Sequence, residues 1–255
     1  MSAQAYYQEI SGVLAAIHDS QKSGLEDAGE ILAEAIAAGK RVYLFGSGHS
    51  VIPVMDIFPR YGSFVGFFPL YDPRLMWHNV VGPGGARELL WLERHEGYIP
   101  NFLQSFPMSA GDSMIVFSHG GLNAAPIEAA LYAKERGLKV ITVSSLRNAS
   151  VAQATHSSGK KLSDVADIAI DNCVPPEDAL VDLGDPEKVA AGSTMAVVFI
   201  AMALVAETAS RLKAKGIKPR TFVSPNVPGV GKDHNLRVFD AYTDALFSRS
   251  PVNHV

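Results

Sequence analysis

RVYLFGSGHS, residues 41–50, is the most informative stretch of this chain. The apolar run inside it predicts a short buried strand, which passes directly into a turn with two glycines, Gly46 and Gly48. A helix is predicted to begin near Ser50, because Pro53 falls in its first turn, where a missing backbone N–H costs nothing. A strand, a glycine turn and a helix N-terminus together present outward-pointing N–H groups that can bind an anion.

Other interpretations of this turn can be tested against its spacing. A dinucleotide-binding turn needs a third glycine where Val51 stands, and an acidic residue after the next strand, where Phe67 and Phe68 stand. A serine-hydrolase elbow needs Gly-x-Ser-x-Gly, which this turn does not contain. An ordinary strand-to-helix turn, whose glycines serve only to reverse the chain, stays open as an alternative to phosphate binding.

The composition is that of one soluble α/β domain with a sizeable core: 255 residues, 47% hydrophobic and 19% charged. The formal net charge of -4 argues against a nucleic-acid partner, because nucleic acids are bound by basic surfaces. Any anionic ligand must therefore be held by a local site. We expect a single domain over residues 1–255, with a helical extension at 1–39, a core at 40–222 and a C-terminal loop and helix at 223–255.

Neither a signal peptide nor a membrane span is expected. Residues 1–9 lack the basic and apolar regions of a signal peptide. The apolar stretch 195–206 is too short to cross a bilayer and ends at Glu207. The single cysteine, Cys173, excludes an internal disulfide and fits a reducing compartment. These features predict a cytoplasmic protein without a membrane partner.

Apolar periodicity predicts strands that alternate with helices along the rest of the chain. The further predicted strands cover residues 64–68, 113–117, 139–143 and 168–170. The predicted helices cover residues 3–38 as a pair, 86–104 with interruptions, 126–136, 192–215 and 236–247. Residues 69–85, which include Trp77 and His78, are predicted to form a loop that lines a site, with a lid over the core as the alternative. The alternation predicts a parallel sheet covered on both faces, with the N-terminal helical pair packed on this domain or on another subunit.

Three of the predicted turns, at residues 46–50, 118–123 and 144–145, share one character. Each follows an apolar strand and is rich in glycine, serine or both. In an open parallel sheet such turns meet at the carboxyl ends of the strands, where ligands bind. We therefore expect them to hold a phosphate-sized anion through Ser47, Gly48, His49, Ser50, Ser118, His119, Gly120, Gly121, Asn123, Ser144 and Ser145.

Taken in order, these turns resemble the SIS (sugar isomerase) domain family. The matching motifs are Gly-Ser-Gly-His-Ser after the first strand, Ser-x-x-Gly-x-Asn after the third and Ser-Ser after the fourth, and the resemblance spans residues 20–247. It implies an α/β fold, a three-layer αβα sandwich with a five-stranded parallel sheet that binds phosphosugars. The family's second turn reads Ser-x-Ser-Gly-x-Thr, whereas this chain has Gly120 and Asn123, so one hydroxyl is missing. The anion is expected to be a phosphate held by fewer donors, or another anion such as a sulfonate.

Two further segments are similar to a bacterial branch of this family whose members are usually named phosphoheptose isomerases. They are HSSGKKL, residues 156–162, and the tail from SPNVPG to DHN, residues 224–235. Residues 84–97 also resemble a segment of N-acetylmuramic acid 6-phosphate etherases, in which a glutamate removes a proton next to a masked carbonyl. This resemblance implies Glu93 or Glu96 as the base, with Glu93 first because the Glu-Arg pair is the part that matches.

The alternative for both glutamates is a solvated helix face, where most glutamates lie. In favour of catalysis, apolar neighbours are predicted to surround Glu93 and raise its pKa, since burial disfavours the charged carboxylate. These neighbours are Leu89, Leu90, Trp91 and Leu92. Glu96, one helical turn along, is predicted to raise the pKa of Glu93 further by like-charge repulsion.

Histidines are the candidates for opening a sugar ring, because they exchange protons near neutral pH. His234 and His156 rank first, and His119 follows. The chain contains no His-Glu-x-x-His or other zinc spacing, so neither a metal nor a cofactor is expected.

These observations predict an aldose–ketose isomerase that acts on a phosphorylated or otherwise anionic sugar by proton transfer through an enediolate. A homodimer or homotetramer is expected, since the helices of residues 3–38 have no sheet partner of their own. One alternative is a phosphosugar lyase or etherase, which shares the first proton abstraction. The other is a non-catalytic phosphosugar-sensing module, although the chain shows neither a helix-turn-helix pattern nor a basic composition.

Overall fold

The computed structural model describes residues 2–76 and 85–247. In its first part the elements are α1 (Ser2–Ser20), α2 (Lys22–Ala37), β1 (Val42–Gly46), α3 (Val51–Ile57), β2 (Phe67–Pro69) and a short 3₁₀ helix, Pro73–Leu75. Next come α4 (Gly85–Leu92), α5 (Tyr98–Leu103), β3 (Ser113–Phe117), α6 (Ala124–Glu135), β4 (Lys139–Ser144), α7 (Leu146–Val151) and α8 (Leu162–Val165). The chain continues with β5 (Ile168–Asp171), β6 (Ala179–Val181), β7 (Val189–Ala191), α9 (Ser193–Ala214) and α10 (His234–Phe247).

Strands β1 to β5 form a parallel five-stranded sheet in the order β2-β1-β3-β4-β5. All residues of β1 and β3 are buried, as expected for strands covered on both faces. Helices α2, α3 and α9 pack together against the sheet, and α5, α6 and α8 form a second helical layer. The predicted three-layer αβα sandwich is therefore confirmed.

Strand β2 is shorter than the predicted strand at residues 64–68. The chain at Gly66 has φ +143°, and a Cβ there would lie 2.7 Å from Ile36 Cδ1. Gly66 therefore packs against α2 in a backbone conformation that other residues rarely adopt, and regular pairing begins only at Phe67. Phe64, also predicted in this strand, instead makes an isolated antiparallel bridge with Thr221.

The N-terminal helices pack within their own chain. Helix α2 lies along α9, and the two approach closely at Gly29, where a Cβ would come 2.7 Å from Glu207 Cβ. Helix α1 contacts α9 and β6, and the Tyr6 hydroxyl donates a hydrogen bond to Ala191 O at 3.0 Å. These helices therefore have partners without a second subunit, and the oligomeric state stays a prediction.

Helix α9 is longer than the apolar stretch at residues 195–206 suggested. Its 22 residues make it, among the residues described, the one helix long and apolar enough to cross a membrane by length and composition. A core helix meets the same criterion, and α9 packs against α1, α2 and α3. Arg211 of α9 and Glu30 of α2 also form an ion pair, with 3.4 Å between Nε and Oε2, which joins the two helices. The criterion is met by the whole helix, which was predicted at residues 192–215, and not by the apolar stretch 195–206 alone, since Thr208 and Leu212 are also buried beyond Glu207.

An antiparallel hairpin, β6–β7, was not predicted from the sequence; it lies between β5 and α9 in the order of the chain. The predicted loop at residues 69–85 contains the 3₁₀ helix, while Trp77 and His78 lie outside the described residues. Helix α10 covers the β2 side, where Tyr242 stacks on Phe68 with ring centroids 5.5 Å apart.

Candidate functional site

Glu93 lies just beyond α4, between the turns that follow β1 and β3. Its side chain is only 7% exposed. Ser47 Oγ donates to Glu93 Oε2 at 3.0 Å, and Asn123 Nδ2 donates to Glu93 Oε1 at 2.8 Å. Each carboxylate oxygen is thus held by a donor from a different strand-end turn. The structure therefore brings together three predicted site residues, Glu93, Ser47 and Asn123.

Asn123 plays an unusual part at the start of α6. Asparagine at this position ordinarily accepts a hydrogen bond from the first helical turn, but the side chain of Asn123 makes no such bond. The carbonyl oxygen of Glu93 accepts from Ala125 N instead, at 2.9 Å. Because the main chain of Glu93 satisfies this N–H, the amide of Asn123 is available to orient the Glu93 carboxylate.

Burial raises the pKa of the Glu93 carboxyl above its ordinary value of about 4.5, and the hydrogen bond from Ser47 and the charge of Arg94 partly oppose this. Leu89 and Leu92 are buried beside it, as predicted. The predicted burial of Glu93 by Leu90 and Trp91 was wrong, because both lie on the face of α4 that is turned to solvent. Leu90 is 43% exposed and Trp91 is 61% exposed.

Glu96 does not share a helix face with Glu93, because α4 ends at Leu92. It is exposed and accepts hydrogen bonds from Ser157 N, at 2.7 Å, and from Ser157 Oγ. These hydrogen bonds lower the pKa of Glu96. The predicted like-charge effect of Glu96 on Glu93 is not found among the causes of the Glu93 shift.

The turn after β1 has little freedom. A Cβ on Gly46 would come 2.1 Å from Ser50 O, so only glycine fits there. Gly48 has φ +59°, and its N–H donates to Leu75 O at 2.8 Å, which fixes the turn to the 3₁₀ helix. A Cβ on Gly48 would lie 3.8 Å from Glu93 Oε2. The glycines therefore hold Ser47 against Glu93 while the chain turns into α3.

A cleft of about 220 Å³ lies beside this turn. Its lining residues come from two predicted turns and from the hairpin and α9: His49, Ser50, His119, Asp178, Ala191, Ser193, Thr194 and Val197. Asp178 accepts from Ser193 N at 2.7 Å and from Ser193 Oγ at 2.8 Å, so its carboxylate caps the α9 N-terminus. This wall of the cleft was not predicted, and its signal in the sequence is Ser193 and Thr194 directly after Gly192, at a helix start.

The turns after β3 and β4 pack on one another. Gly121 has φ +64°, and a Cβ there would lie 3.4 Å from Ser144 Cβ. Ser118 Oγ accepts from Gly121 N at 3.2 Å, and Gly120 O accepts from Asn148 Nδ2 at 2.8 Å. Much of this predicted binding loop therefore stabilises its own shape.

Ser145 is a helix cap. Its hydroxyl donates to Val174 O at 2.6 Å and accepts from Asn148 N at 3.2 Å at the start of α7. Ser144 is buried under Gly121. Of the four serine positions expected around one anion, at 47, 50, 118 and 144 or 145, only Ser50 lines the 220 Å³ cleft.

The three candidate histidines lie in different places. His119 lines the cleft, and its Nδ1 is 3.1 Å from Asn172 Nδ2. His156 lies at a second cavity, of about 340 Å³, which it shares with Asn123. His234 begins α10, and its Nε2 is 2.8 Å from Thr221 O, in the tail segment.

The His156 side chain is 7% exposed, and its Nε2 lies 3.7 Å from Glu96 Oε2 and 3.8 Å from Glu128 Oε1. Its Nδ1 accepts from Ser158 N at 3.1 Å, which leaves the proton of a neutral ring on Nε2, between the two carboxylates. The second cavity is also lined by Arg94, Leu122, Ala124 and Thr155.

The comparisons with known proteins agree with this architecture. The family model for the SIS domain matches residues 5–145. The chain belongs to the SIS domain family. A UPF0309 protein of Streptomyces coelicolor is 34% identical over 93% of this chain and 93% of its own length. Another, from Shouchella clausii, is 34% identical over 96% of this chain and 95% of its own.

Solved structures share the fold at low identity. A phosphoheptose isomerase from Francisella tularensis has TM-score 0.54 and 13% identity, covering 82% of this chain and 96% of that one. A phosphoheptose isomerase from Neisseria gonorrhoeae has TM-score 0.53 and 15% identity, covering 81% of this chain and 97% of that one. These likenesses confirm the SIS fold that the motifs indicated.

The donor set of this SIS domain suits an anion or a polyol. Within residues 2–76 and 85–247, no group of three or more His, Cys, Asp and Glu side chains could hold a metal ion. The site also contains Asn172, which was not predicted although it directly follows β5, as the other candidates follow their strands. A polar residue at the end of the fifth strand was the available signal.

Proposed function

We propose that this SIS domain is an aldose–ketose isomerase for a sugar that carries a phosphate or a similar anion, with Glu93 as the base. The observation that carries the proposal is the environment of Glu93. Its carboxyl group is buried, its pKa is raised, and both oxygens are held by donors from turns at the carboxyl ends of the strands. A base needs a pKa closer to neutrality than that of a free carboxylate, and burial provides this.

In the proposed reaction, Glu93 takes the proton from carbon 2 of the open-chain aldose, and the electron pair left behind forms the enediolate. The proton returns to carbon 1, while a proton moves from the oxygen on carbon 2 to that on carbon 1. No atoms are gained or lost, so the reaction needs no co-reactant. Asn123 and Ser47 position the carboxylate, and such positioning contributes strongly to rate.

The anion is assigned to the 220 Å³ cleft, whose lining includes His49 and the hydroxyl groups of Ser50 and Thr194. Because Asp178 already caps α9, the donors proposed for a phosphate or sulfonate group are the side-chain hydroxyls of the cleft. Ser50→Ala should weaken inorganic phosphate binding by roughly 1–2 kcal/mol, the usual loss of a hydrogen bond to a charged group. An unchanged dissociation constant in isothermal titration calorimetry would place the anion elsewhere.

His156 is the better placed of the two leading candidates for ring opening, because its cavity shares Asn123 with the Glu93 site. His234 is directed to Thr221 O instead. His156→Gln should slow turnover of cyclic sugar phosphates more than that of open-chain ones. Equal losses on both kinds of substrate would remove His156 from this role.

The deciding experiment is incubation with a panel of five- to seven-carbon aldose and ketose phosphates in D₂O, followed by NMR. Deuterium incorporation at carbon 2 together with the isomeric sugar supports the isomerase. Release of a leaving group from carbon 3 would instead indicate lyase or etherase chemistry, which begins with the same proton abstraction. Tight binding with neither exchange nor product would make the protein a phosphosugar sensor.

A further inference from the structure

The two ring nitrogens of His119 differ in their hydrogen bonding to the described part of the chain. Its Nδ1 lies 3.1 Å from Asn172 Nδ2. Its Nε2 is buried and has no hydrogen-bond partner in the part of the chain that the structure describes. A buried polar atom without a partner costs free energy, and such atoms often mark a functional site. His119 is also part of the cleft wall, so a ligand there can provide the missing partner.

The orientation of Asn172 is set by its surroundings. Asn172 is completely buried, and its Oδ1 accepts from Val174 N at 3.0 Å. Its own backbone N–H donates to Ser144 O at 2.9 Å. Because the side-chain oxygen is already used by Val174, the NH₂ group is the part of the amide that faces His119.

This orientation decides where the proton of His119 lies. The Asn172 NH₂ group is a donor, so Nδ1 of His119 must accept. A neutral imidazole with an accepting Nδ1 carries its proton on Nε2. The backbone supports the arrangement, since His119 O accepts from Ser145 N at 2.9 Å and fixes the residue between β3 and β4.

We propose that Asn172 is a positioning residue that keeps His119 as a fixed Nε2–H donor to a negatively charged oxygen of the ligand in the cleft. The proposal rests on the assignment of the anion to this cleft. His119 then acts as a hydrogen-bond donor to the anionic sugar, and the base remains Glu93. A ligand group that is itself a donor would face the Nε2–H without a hydrogen bond and would be rejected.

Asn172→Asp tests the proposal because it replaces only the NH₂ group of the side chain, by an oxygen. An aspartate oxygen still accepts from Val174 N, whereas the donor that faces His119 becomes an acceptor. In ¹⁵N NMR of the histidine side chains at a pH where the rings are neutral, the wild-type proton of His119 should lie on Nε2. In Asn172→Asp it should lie on Nδ1. The signal is assigned by its disappearance in His119→Gln.

Asn148→Asp is the matched control. Asn148 donates to Gly120 O in the same turn, so the variant introduces an equal charge nearby without touching the imidazole. The proton of His119 should stay on Nε2 in this variant. A proton on Nδ1 in the wild type overturns the proposal, even if Asn172→Asp fails to fold.

Binding of inorganic phosphate gives the second readout. Asn172→Asp and His119→Ala should each weaken binding roughly 10-fold or more, because a charged ligand loses a donor. His119→Gln, whose amide can place an N–H close to the Nε2 position, should retain much of the affinity, and Asn148→Asp reports the effect of charge alone. Equal losses in all four variants would overturn the donor role. If the tautomer and phosphate results hold while no sugar phosphate is isomerised, the inference stands and the proposed function fails.

Discussion

Glu93 and Glu96 are three residues apart, yet their environments shift their pKa values in opposite directions. Glu93 is buried where the turns after β1 and β3 meet, and burial raises its pKa. Glu96 is exposed, and two hydrogen bonds from Ser157 lower its pKa. The end of α4 at Leu92 separates the two side chains. The sequence motif therefore indicates two candidate bases, and the position at which α4 ends gives them different environments.

The comparison also shows what makes a carboxylate a useful base. The hydrogen bonds from Ser157 stabilise the charged form of Glu96 and outweigh a smaller opposing effect of burial, so Glu96 holds a proton weakly. Glu93 also accepts hydrogen bonds, but desolvation is the larger effect. It is thus both oriented and able to accept a proton. Each of the following predictions tests this difference.

The largest effect is expected for Glu93→Gln. Glutamine keeps the size of the side chain, and the Ser47 hydroxyl can rotate to accept from its NH₂ group, but the amide cannot take up a proton. Turnover should fall by roughly 10²–10⁴ while sugar phosphate binding is largely kept. Glu96→Gln is the control and should keep most of the turnover in the same steady-state assay. If Glu96→Gln loses activity and Glu93→Gln does not, the assignment moves to Glu96.

A smaller loss is expected for Asn123→Ala. This variant removes the donor to Glu93 Oε1 and lets the carboxylate rotate away from the sugar. Turnover should fall roughly 10–100-fold, the scale of a misplaced catalytic group. Asn101→Ala removes an exposed asparagine of α5 and should leave turnover unchanged. Equal turnover in the wild type and Asn123→Ala would argue that Asn123 does not orient the base.

Ser47→Ala should change the pH dependence rather than abolish activity. The hydrogen bond from Ser47 lowers the pKa of Glu93, so its loss should raise that pKa further. The acidic limb of the pH–rate profile, where the base becomes protonated, should move to higher pH. Ser157→Ala, which removes a donor from Glu96, should leave this limb in place. If the acidic limb of the pH–rate profile moves in Ser157→Ala and not in Ser47→Ala, Glu96 and not Glu93 is the base.

The smallest effect concerns stability. Because the folded-state pKa of Glu93 is raised, its contribution to stability is fully present below about pH 4.5 and is lost as the pH rises through the folded-state pKa. Glu93→Gln should therefore gain stability relative to the wild type as the pH rises through that window. Urea unfolding at a series of pH values measures this difference.

For Glu96 the sign is reversed. Its pKa is lowered, so its contribution is present above about pH 4.5 and is lost as the pH falls through the folded-state pKa. The stability of Glu96→Gln should approach that of the wild type on acidification, and salt should reduce the difference because the group is exposed. If the free energy of unfolding depends on pH in the same way in Glu93→Gln and Glu96→Gln, the two pKa values are not shifted in opposite directions.

Much of the fold could be predicted because it follows from local patterns. Strand β3 has the predicted bounds, residues 113–117, and β4 and β5 each extend one residue beyond theirs. The apolar runs of β3 and β4 are buried on both faces, and that pattern is distinctive. The hairpin β6–β7 was missed because its strands are only three residues long, too short for an apolar pattern to predict a strand, and because β7 is exposed.

The site was only partly predictable, since the same residue types serve structure and binding. Serine is favoured both at helix caps and in anion sites, and only the structure shows that Ser145 caps α7. Glu93 was singled out by a family resemblance and not by periodicity. The predicted burial by Trp91 failed because neighbours in sequence do not share a helix face.

The bonds around Glu93 also bear on the order in which the chain folds. Ser47 and Glu93 are separated by 46 positions, and Asn123 and Glu93 by 30. Contacts between such distant segments form only after the intervening chain has lost much of its conformational freedom, whereas helices form locally. In refolding experiments the helical circular dichroism signal should therefore return before catalytic competence does. Recovered activity would then report the assembly of the whole sheet edge, while recovered helicity would not.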